Sequence, residues 1–550
     1  MTRNRYLSIL LLLFFCVPHV LRAQEETFTH QDTLRGMITA ERAWWDLQYY
    51  HLKVKVDPAD STIEGSNIIR YKAVLPGNVL QVDLQPPMQI RKVLAGKQEL
   101  QVTHDGNAHY VHLGATMKAG QTGEIEVFYG GKPRVAVKPP WDGGISWSKD
   151  AKGKPFVASS CQGLGASAWW PCKDHMYDEV DSMLISVEVP KGLTDVSNGR
   201  LRKVEEGKQT TTFHWFVANP INNYGVNINI AEYVHFGHTF NGEKGKLDVN
   251  FWVLKQNEAA ARKQFLQVDS MLTAFEYWFG PYPFYEDGYK LVEVPYLGME
   301  HQSSVTYGNG YKNGYMGTDL SGTGWGLKFD YIIVHESGHE WFANNITYQD
   351  AADMWIHEGF TDYSECLYLD YYFGKKAARE YVLGLRRLID NDRPIIGTYN
   401  VNKEGSSDMY FKGANLLHMI RTMMQNDSTW RETLRGMNRE FYHKTVITEQ
   451  IEKYLSDHLG HNLHNVFDQY LRDDRIPILQ YAIHGKCLVF KWSNCVDHFD
   501  MPVQVYVNGK TAWIEPHTQW SSLEWVEEIR TVELSADFYV AGFNLIGNPE

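Results

Sequence analysis

The chain has 550 residues, 43% of them hydrophobic, and its formal net charge at pH 7 is −13. The charge is mildly acidic and forms no long runs, which argues against a protein that binds nucleic acid. The chain is too long for one hydrophobic core, so we expect roughly two to four domains.

Residues 1–23 have the pattern of a secretory signal peptide. Arg3 and Arg5 precede an apolar run at 7–17, and Ala23 ends a plausible cleavage site. The apolar run is too short to span a membrane, and no later segment is long and apolar enough. The sequence therefore predicts an exported protein, periplasmic or secreted, without stable membrane insertion.

Residues 24–235 are predicted to form an all-β domain of large, twisted sheets. Hydrophobic and polar residues alternate at 51–56, 124–129 and 183–189, and Gly, Asn and Asp separate these segments. Strict alternation is typical of strands with one buried face.

Residues 236–474 are predicted to form a mixed and then mainly helical domain. Alternation at 247–254 is followed by helical periodicity from 258 to about 279, and helices dominate from 328 to about 472. Between them, residues 308–326 are rich in Gly and Tyr. This density is typical of a mobile loop lining a cleft, or equally of a disordered surface loop.

The segment His335-Glu336-Ser337-Gly338-His339 carries the strongest chemical signal in the chain. Residues four apart lie one above the other on a helix, so both imidazoles face one point. Glu336 is the next residue round the helix, where it can reach a water at that point. A catalytic zinc needs three protein ligands, an open fourth position and a nearby carboxylate base.

A second predicted helix, from Trp355 to about Tyr372, supplies further carboxylates. Glu358 follows His339 after a gap of eighteen residues and is the candidate third ligand. Glu365 lies two helical turns further along the same face. From there it can accept a hydrogen bond from a ligand histidine and fix its tautomer.

Residues 475–550 are predicted to form a small β-sandwich. Val503, Val505 and Val507 alternate with other residues up to Asn508-Gly509, which is a strong signal for a hairpin turn. Residues 511–514 are expected to form the returning strand of this hairpin.

The cysteines outside the leader are too few for a disulfide framework. Cys487 and Cys495 could bridge neighbouring strands, and we expect Cys366, on the second site helix, to be a buried thiol.

The stretch from His335 to Glu365 resembles the aminopeptidase N and leukotriene hydrolase family of zinc metallopeptidases, the gluzincins. Their signature is HExxH, eighteen residues and then Glu. The resemblance implies one zinc ion per chain, held by His335, His339 and Glu358, with Glu336 as the general base that activates a zinc-bound water. It also implies a multidomain α+β fold, with a saddle-like N-terminal β domain and a thermolysin-like catalytic domain; a C-terminal helical domain is not expected.

Three further segments resemble motifs of this family. Residues 297–301 are similar to GxMEN, with Leu297 in place of the first Gly and His301 in place of Asn. By this likeness Gly298 and Met299 would contact the substrate, and Glu300 would hold its free α-ammonium.

The segment beginning at Tyr410 resembles YxKGA, whose tyrosine stabilises the oxyanion. Gln162 resembles the glutamine of a substrate subsite, and we expect it beside Glu300.

The resemblance implies an aminopeptidase acting on peptides with a free N-terminus. A leukotriene-hydrolase-like epoxide hydrolase would use the same zinc triad, but it would need a deep apolar channel and a positive group for a fatty carboxylate. A third possibility is a catalytically silent zinc fold that binds peptides. The sequence does not indicate the oligomeric state.

Overall fold

A computed structural model describes residues 27–545. The predicted signal peptide therefore lies outside the described residues. The described chain is a mixed α+β structure, as predicted, and none of its helices is both long and apolar enough to cross a membrane.

Residues 27–231 are built mainly from strands. Two short helices, α1 (His30–Gly36) and α2 (Ala40–Ala43), precede them. The strands are β1 (Trp45–Asp57), β2 (Thr62–Ala73), β3 (Gly77–Asp83), β4 (Gln89–Ala95), β5 (Gln98–Glu99), β6 (Gln101–Asp105), β7 (Ala108–Met117), β8 (Thr122–Gly131), β9 (Gly144–Lys149), β10 (Pro155–Ser160), β11 (Ser182–Pro190), β12 (Thr194–Val196), β13 (Arg200–Glu206), β14 (Thr210–Val217) and β15 (Asn229–Ala231).

These strands form an eight-stranded sheet in the order β13-β14-β11-β1-β2-β8-β4-β5 and two smaller sheets, β3-β7-β6 and β12-β15-β10-β9. Buried and partly exposed residues alternate strictly along β14. Successive side chains of a strand point to opposite faces of the sheet, which produces the alternation of hydrophobic and polar residues in the sequence.

A five-stranded sheet, in the order β16-β17-β18-β20-β19, begins the region that contains the HExxH segment. Its strands are β16 (Tyr233–Gly242), β17 (Gly245–Leu254), β18 (Tyr289–Glu293), β19 (Gly298–Met299) and β20 (Val305–Tyr307). The predicted division between residues 235 and 236 falls inside β16, which pairs along its whole length with β17.

Helices then cover the sheet and surround the HExxH segment. They are α3 (Glu258–Gln264), α4 (Gln267–Phe279), α5 (Tyr331–Gly338), α6 (Trp355–Phe373), α7 (Lys375–Leu385), α8 (Phe411–Met424), α9 (Asp427–Glu440), α10 (Thr448–Leu459) and α11 (His464–Leu471). A short parallel pair, β21 (Ile346–Tyr348) and β22 (Lys444–Val446), lies among them.

Short turns of other helix types connect these elements. They are 3-10 turns at Ala166–Ala168, Lys255–Asn257, Trp325–Lys328, Ala351–Asp353, Arg386–Leu388 and Ser407–Met409, and a π turn at Glu340–Asn344.

The C-terminal strands form two sheets, β27-β24-β23-β29 and β26-β25-β28. The strands are β23 (Ile478–His484), β24 (Cys487–Ser493), β25 (Val503–Val507), β26 (Lys510–Ile514), β27 (Ser521–Glu524), β28 (Val532–Leu534) and β29 (Ala541–Asn544). Asn508 and Gly509 both have positive φ, 50° and 76°, as the predicted two-residue hairpin requires.

These sheets share a hydrophobic core with the helices rather than standing apart. Asp537 strengthens that contact because its carboxylate accepts from Arg379 on α7 (2.6 Å) and lies 3.0 Å from the His418 ring on α8.

The sequence left open a disulfide between Cys487 and Cys495, and the structure does not contain it, because both are free thiols. Cys487 begins β24 and Cys495 follows its end, so an extended strand separates them by roughly 20 Å. A disulfide needs Cα atoms within about 7 Å. Cys366 is a buried thiol, as predicted.

Candidate active site

Helix α5 presents both histidines of the HExxH segment. It is buried along its whole length, and its first turn is capped by the Asp330 carboxylate, which accepts from the Ile333 amide. The helix ends at Gly338, yet His339 keeps helical backbone angles of −62° and −18°. The two imidazoles therefore lie on one face, with ring centroids 5.0 Å apart.

Helix α6 brings Glu358 to the same point. Its Oε2 lies 3.7 Å from His335 Nε2 and 3.3 Å from His339 Nε2. Donor atoms of a tetrahedral zinc, at about 2.1 Å from the metal, are roughly 3.4 Å apart. The spacing of these three donors therefore fits a zinc ion.

The Nδ1 atoms of both histidines face hydrogen-bond partners, which leaves the Nε2 atoms to act as ligands. His335 Nδ1 lies 2.7 Å from Glu365 Oε1, and His339 Nδ1 lies 3.0 Å from the Phe342 carbonyl oxygen. A carbonyl only accepts, so His339 Nδ1 carries the proton and Nε2 has a free lone pair. The donor chemistry, like the spacing, suits a zinc centre.

Two side chains of this outer layer were not predicted from the sequence. The Tyr381 hydroxyl donates to Glu365 Oε2 (2.6 Å), and Thr361 Oγ1 lies 3.0 Å from His339 Nδ1. Thr361 is three residues after Glu358, and this spacing on one helix face was an available signal. Tyr381 comes from α7 and left no such signal.

Glu336 lies beside the three donors and faces a cleft of about 550 Å³. One carboxylate oxygen of Glu336, one carboxylate oxygen of Glu300 and one ring nitrogen of His339 lie within 4.8 Å of one another. Burial raises the pKa of Glu336 to about 7. A carboxylate with a raised pKa is suited to accepting a proton near neutral pH.

Gly298 leaves room for Glu336. A Cβ at this position would lie 2.6 Å from Ile332 Cγ2 and 3.2 Å from both Cγ and Oε1 of Glu336. The glycine of the GxMEN-like segment is therefore required by the close approach of β19 to α5.

Glu300 follows β19 and is 2% exposed. Its Oε1 has no hydrogen-bond partner among residues 27–545, although the side chain lines the cleft. Burial raises the pKa of Glu300, and the neighbouring His339 opposes that shift. An orphaned carboxylate oxygen in a cleft is suited to a cationic group of a ligand.

His301, which stands where the family motif has Asn, is fully buried and is not among the cleft-lining residues. Its Nδ1 faces Thr306 Oγ1 at 3.5 Å. The departure from the motif at His301 therefore lies outside the cleft wall.

Tyr410 immediately precedes α8, and its ring stacks on His335 with centroids 6.2 Å apart. The close packing of α8 on α6 brings it there, because Gly359 and Gly413 meet: a Cβ on Gly413 would lie 3.0 Å from Gly359 Cα. Burial, with the negative charges of Glu358, Glu300 and Glu336, raises the pKa of Tyr410 well above its ordinary value. Its hydroxyl therefore keeps its proton as a donor.

Gln162 lies in the cleft, but its partner differs from the expected one. Its amide nitrogen donates to Glu358 Oε1 (2.8 Å) and not to Glu300. The other oxygen of Glu358, Oε2, is the one that lies near the two histidines. The amide thus orients a candidate metal ligand.

The cleft brings together nearly all the predicted site residues. Its walls include Gln162, Gly298, Met299, Glu300, His335, Glu336, His339, Glu358 and Tyr410. Glu365 lies behind His335, and Tyr315 and Leu320 of the glycine- and tyrosine-rich loop also line the cleft. That loop is held in place by the Asn309 amide, which donates to the Lys312 and Gly314 carbonyls and to Asp330.

Residues 266–470 match the model of the peptidase family M1 domain. The chain is 22% identical over 440 residues to leukotriene A-4 hydrolase of Xenopus laevis, covering 75% of this chain and 68% of that protein. It is 18% identical over 382 residues to probable aminopeptidase 1 of Saccharolobus solfataricus, covering 65% of this chain and 47% of that protein.

The crystal structure of an M1 zinc metallopeptidase from Deinococcus radiodurans has a similar fold, with a TM-score of 0.68 and 20% identity. The superposition covers 79% of this chain and 94% of that one. The chain thus spans about two thirds of the length of the leukotriene A-4 hydrolase and about half of the length of the probable aminopeptidase 1.

Proposed function

We propose that the protein is a zinc-dependent aminopeptidase, because residues 266–470 match the model of the peptidase family M1 domain and the fold is similar to that of an M1 zinc metallopeptidase. One zinc ion would be held by His335, His339 and Glu358. The substrate would be a peptide whose N-terminal peptide bond is hydrolysed.

When bound, zinc supplies Lewis-acid polarisation of the scissile carbonyl and lowers the pKa of the attacking water. Glu336 takes the proton of that water and passes it to the leaving nitrogen. Its position beside the donor atoms and its raised pKa both suit this role.

Tyr410 donates its hydroxyl proton to the oxygen on which negative charge develops. Its stacking on His335 places it at the edge of the same centre. A preorganised donor of this kind typically contributes a few kcal/mol to stabilising the transition state.

Glu300 anchors the α-ammonium of the substrate. The single observation that carries the aminopeptidase proposal is its buried, unpartnered Oε1 in the cleft that holds the zinc ligands. An ion pair at this place fixes the register, so that the first peptide bond meets the zinc ligands and Glu336.

The rival functions have less support in the geometry. Within residues 27–545 the cleft is lined by no Lys or Arg, so it offers no cation for a fatty carboxylate. A catalytically silent peptide-binding module would not need Glu336, Glu300 and Tyr410 together in one cleft. We therefore favour peptide hydrolysis.

The proposal is tested with a panel of amino-acid amides and tetrapeptides, each with a free and an N-acetylated terminus, alongside a lipid epoxide. We expect hydrolysis of the free-amine substrates only, loss of turnover on dialysis against a chelator, and recovery with zinc. Turnover of the epoxide alone, or no turnover by fully zinc-loaded protein, would contradict the proposal.

Glu300→Ala is expected to raise KM for free-amine peptides roughly 10- to 100-fold, because the charged hydrogen bond to the ammonium is lost. Inhibition constants of N-acetylated peptides, which have no ammonium, should change little. Glu404→Ala is the matched control, since Glu404 lines the same cleft but is exposed. An equal effect on free and acetylated peptides would remove Glu300 as the anchor.

Gly298→Ala is expected to lower kcat about a hundredfold, because the added methyl group displaces Glu336. Zinc content and the thermal unfolding temperature should stay near those of the unchanged protein, which separates displacement of the base from loss of the fold. Unchanged kcat would show that α5 moves aside without cost.

A further inference from the structure

An exposed tryptophan stands at the mouth of the cleft. Trp141 lies on the loop that joins β8 to β9, and it lines the same cavity as Glu300 and the candidate metal ligands. Its side chain is 69% exposed. Within residues 27–545 the indole has no aromatic, cationic or hydrogen-bonding partner.

The loop that carries Trp141 is held in place by its backbone. The Ala136 amide donates to the Ile145 carbonyl (3.1 Å) and the Ile145 amide to the Arg134 carbonyl (2.8 Å). The Asp142 carboxylate accepts from the Val137 and Lys138 amides, at 2.7 and 2.8 Å. A single exposed apolar side chain is ordinary on a protein surface, and Trp141 is distinguished by lying on an ordered loop in the wall of the cleft.

The same loop is fixed relative to the inner site. Gly143 packs so closely on Leu164 that a Cβ there would lie 2.6 Å from Leu164 Cβ. Leu164 is two residues from Gln162, whose amide contacts Glu358. Trp141 is therefore placed against the cleft by a short chain of contacts.

Other apolar side chains line the same cavity. Leu320, Leu388 and Phe411 line the cleft together with Trp141 and Pro140. Since no Lys or Arg of the described chain lines it, the cleft has no side-chain cation for a C-terminal carboxylate.

The depth of these groups gives a direction along the substrate. Glu300 is 2% exposed and Trp141 is 69% exposed, so we place Glu300 at the inner end of the cleft and Trp141 at its outer end. If the N-terminus is held at Glu300, residues beyond the scissile bond must run outward past the exposed side chains.

We propose that Trp141 is a specificity-determining platform that receives a large apolar or aromatic side chain of the substrate downstream of the scissile bond. This inference rests on the proposed aminopeptidase function. It assigns to the protein a preference for peptides of three or more residues with such a side chain near the N-terminus.

The test uses the N-terminal residue X that the protein releases fastest. The substrates are X-NH2, X-Ala-Ala-Ala, X-Phe-Ala-Ala, X-Ala-Phe-Ala and X-Ala-Ala-Phe. For the unchanged protein, at least one Phe peptide should exceed X-Ala-Ala-Ala in kcat/KM by about five- to tenfold, mainly through KM. Trp141→Ala should abolish this difference, and Trp141→Phe should retain most of it.

Val137→Ala is the matched control, because Val137 is an exposed residue of the same loop and does not line the cleft. It should leave all five kcat/KM values near those of the unchanged protein. If Trp141→Ala leaves the Phe preference intact, or lowers kcat/KM equally for X-NH2 and every peptide, the platform is refuted while the aminopeptidase proposal stands. If the unchanged protein hydrolyses none of the five substrates, the aminopeptidase proposal fails and the platform with it.

Discussion

Glu336→Gln is expected to lower kcat about a thousandfold or more while the protein keeps its zinc. A general base typically contributes a factor of about 10² to 10⁴, and the amide cannot accept the proton of the attacking water. The substitution keeps the shape of a side chain packed against Gly298 and Ile332, so the fold should not change. The measurement is kcat on a free-amine peptide together with metal content per chain.

Glu340→Gln is the matched control for this substitution. Glu340 is also buried beside a histidine, but its carboxylate is directed to the Ser303 amide (2.8 Å) and the Tyr282 hydroxyl (3.2 Å) and does not line the cleft. Burial raises the pKa of Glu340 to about 8, so a neutral amide resembles its state at pH 7. This variant should keep its turnover, and normal turnover of Glu336→Gln would remove Glu336 as the base.

Much of the metal site could be predicted because its geometry is local. A spacing of four residues places two imidazoles on one helix face wherever the helix forms, and the second helix was predicted at 355 to about 372, against Trp355–Phe373 in the structure. Only the convergence of the two helices is non-local. The resemblance to a zinc peptidase family supplied that part, and in the structure Glu358 Oε2 lies 3.7 Å from His335 Nε2 and 3.3 Å from His339 Nε2.

Contacts between distant segments could not be predicted in the same way. Gln162 pairs with Glu358 across 196 residues, and Tyr381 reaches Glu365 from a different helix. No periodicity in the sequence specifies such partners. Whether Cys487 and Cys495 form a disulfide stayed open for a related reason, since assigning both residues to one strand or to two depends on where that strand begins and ends.

Element boundaries also depended on packing. The stretch from 258 to about 279 has continuous helical periodicity, yet it forms two helices that are separated at Phe265 and Leu266. Phe265 turns inward against Phe251 and Tyr307, whereas Leu266 is left exposed. Burial of an aromatic side chain in the sheet thus interrupts a pattern that would otherwise continue.

Tyr410→Phe is expected to lower kcat about 10²- to 10³-fold with little change in KM or metal content. The hydroxyl is the donor proposed to meet the developing oxyanion, and loss of one such donor typically has this effect. The ring, its stacking on His335 and the contact between Gly359 and Gly413 are all retained, so the zinc ligands should stay in place. The measurement is the steady-state kinetics of a free-amine peptide with zinc analysis.

Tyr315→Phe is the matched control, because Tyr315 is a second tyrosine of the same cleft and its ring packs on Tyr331 at 5.3 Å. Removing that hydroxyl should leave kcat unchanged, since Tyr315 lies on the loop before α5 and does not stack on a candidate ligand. If both variants keep full kcat, the oxyanion is stabilised by groups other than Tyr410. If Tyr410→Phe instead loses zinc, the tyrosine holds the ligands and has no separate part in the reaction.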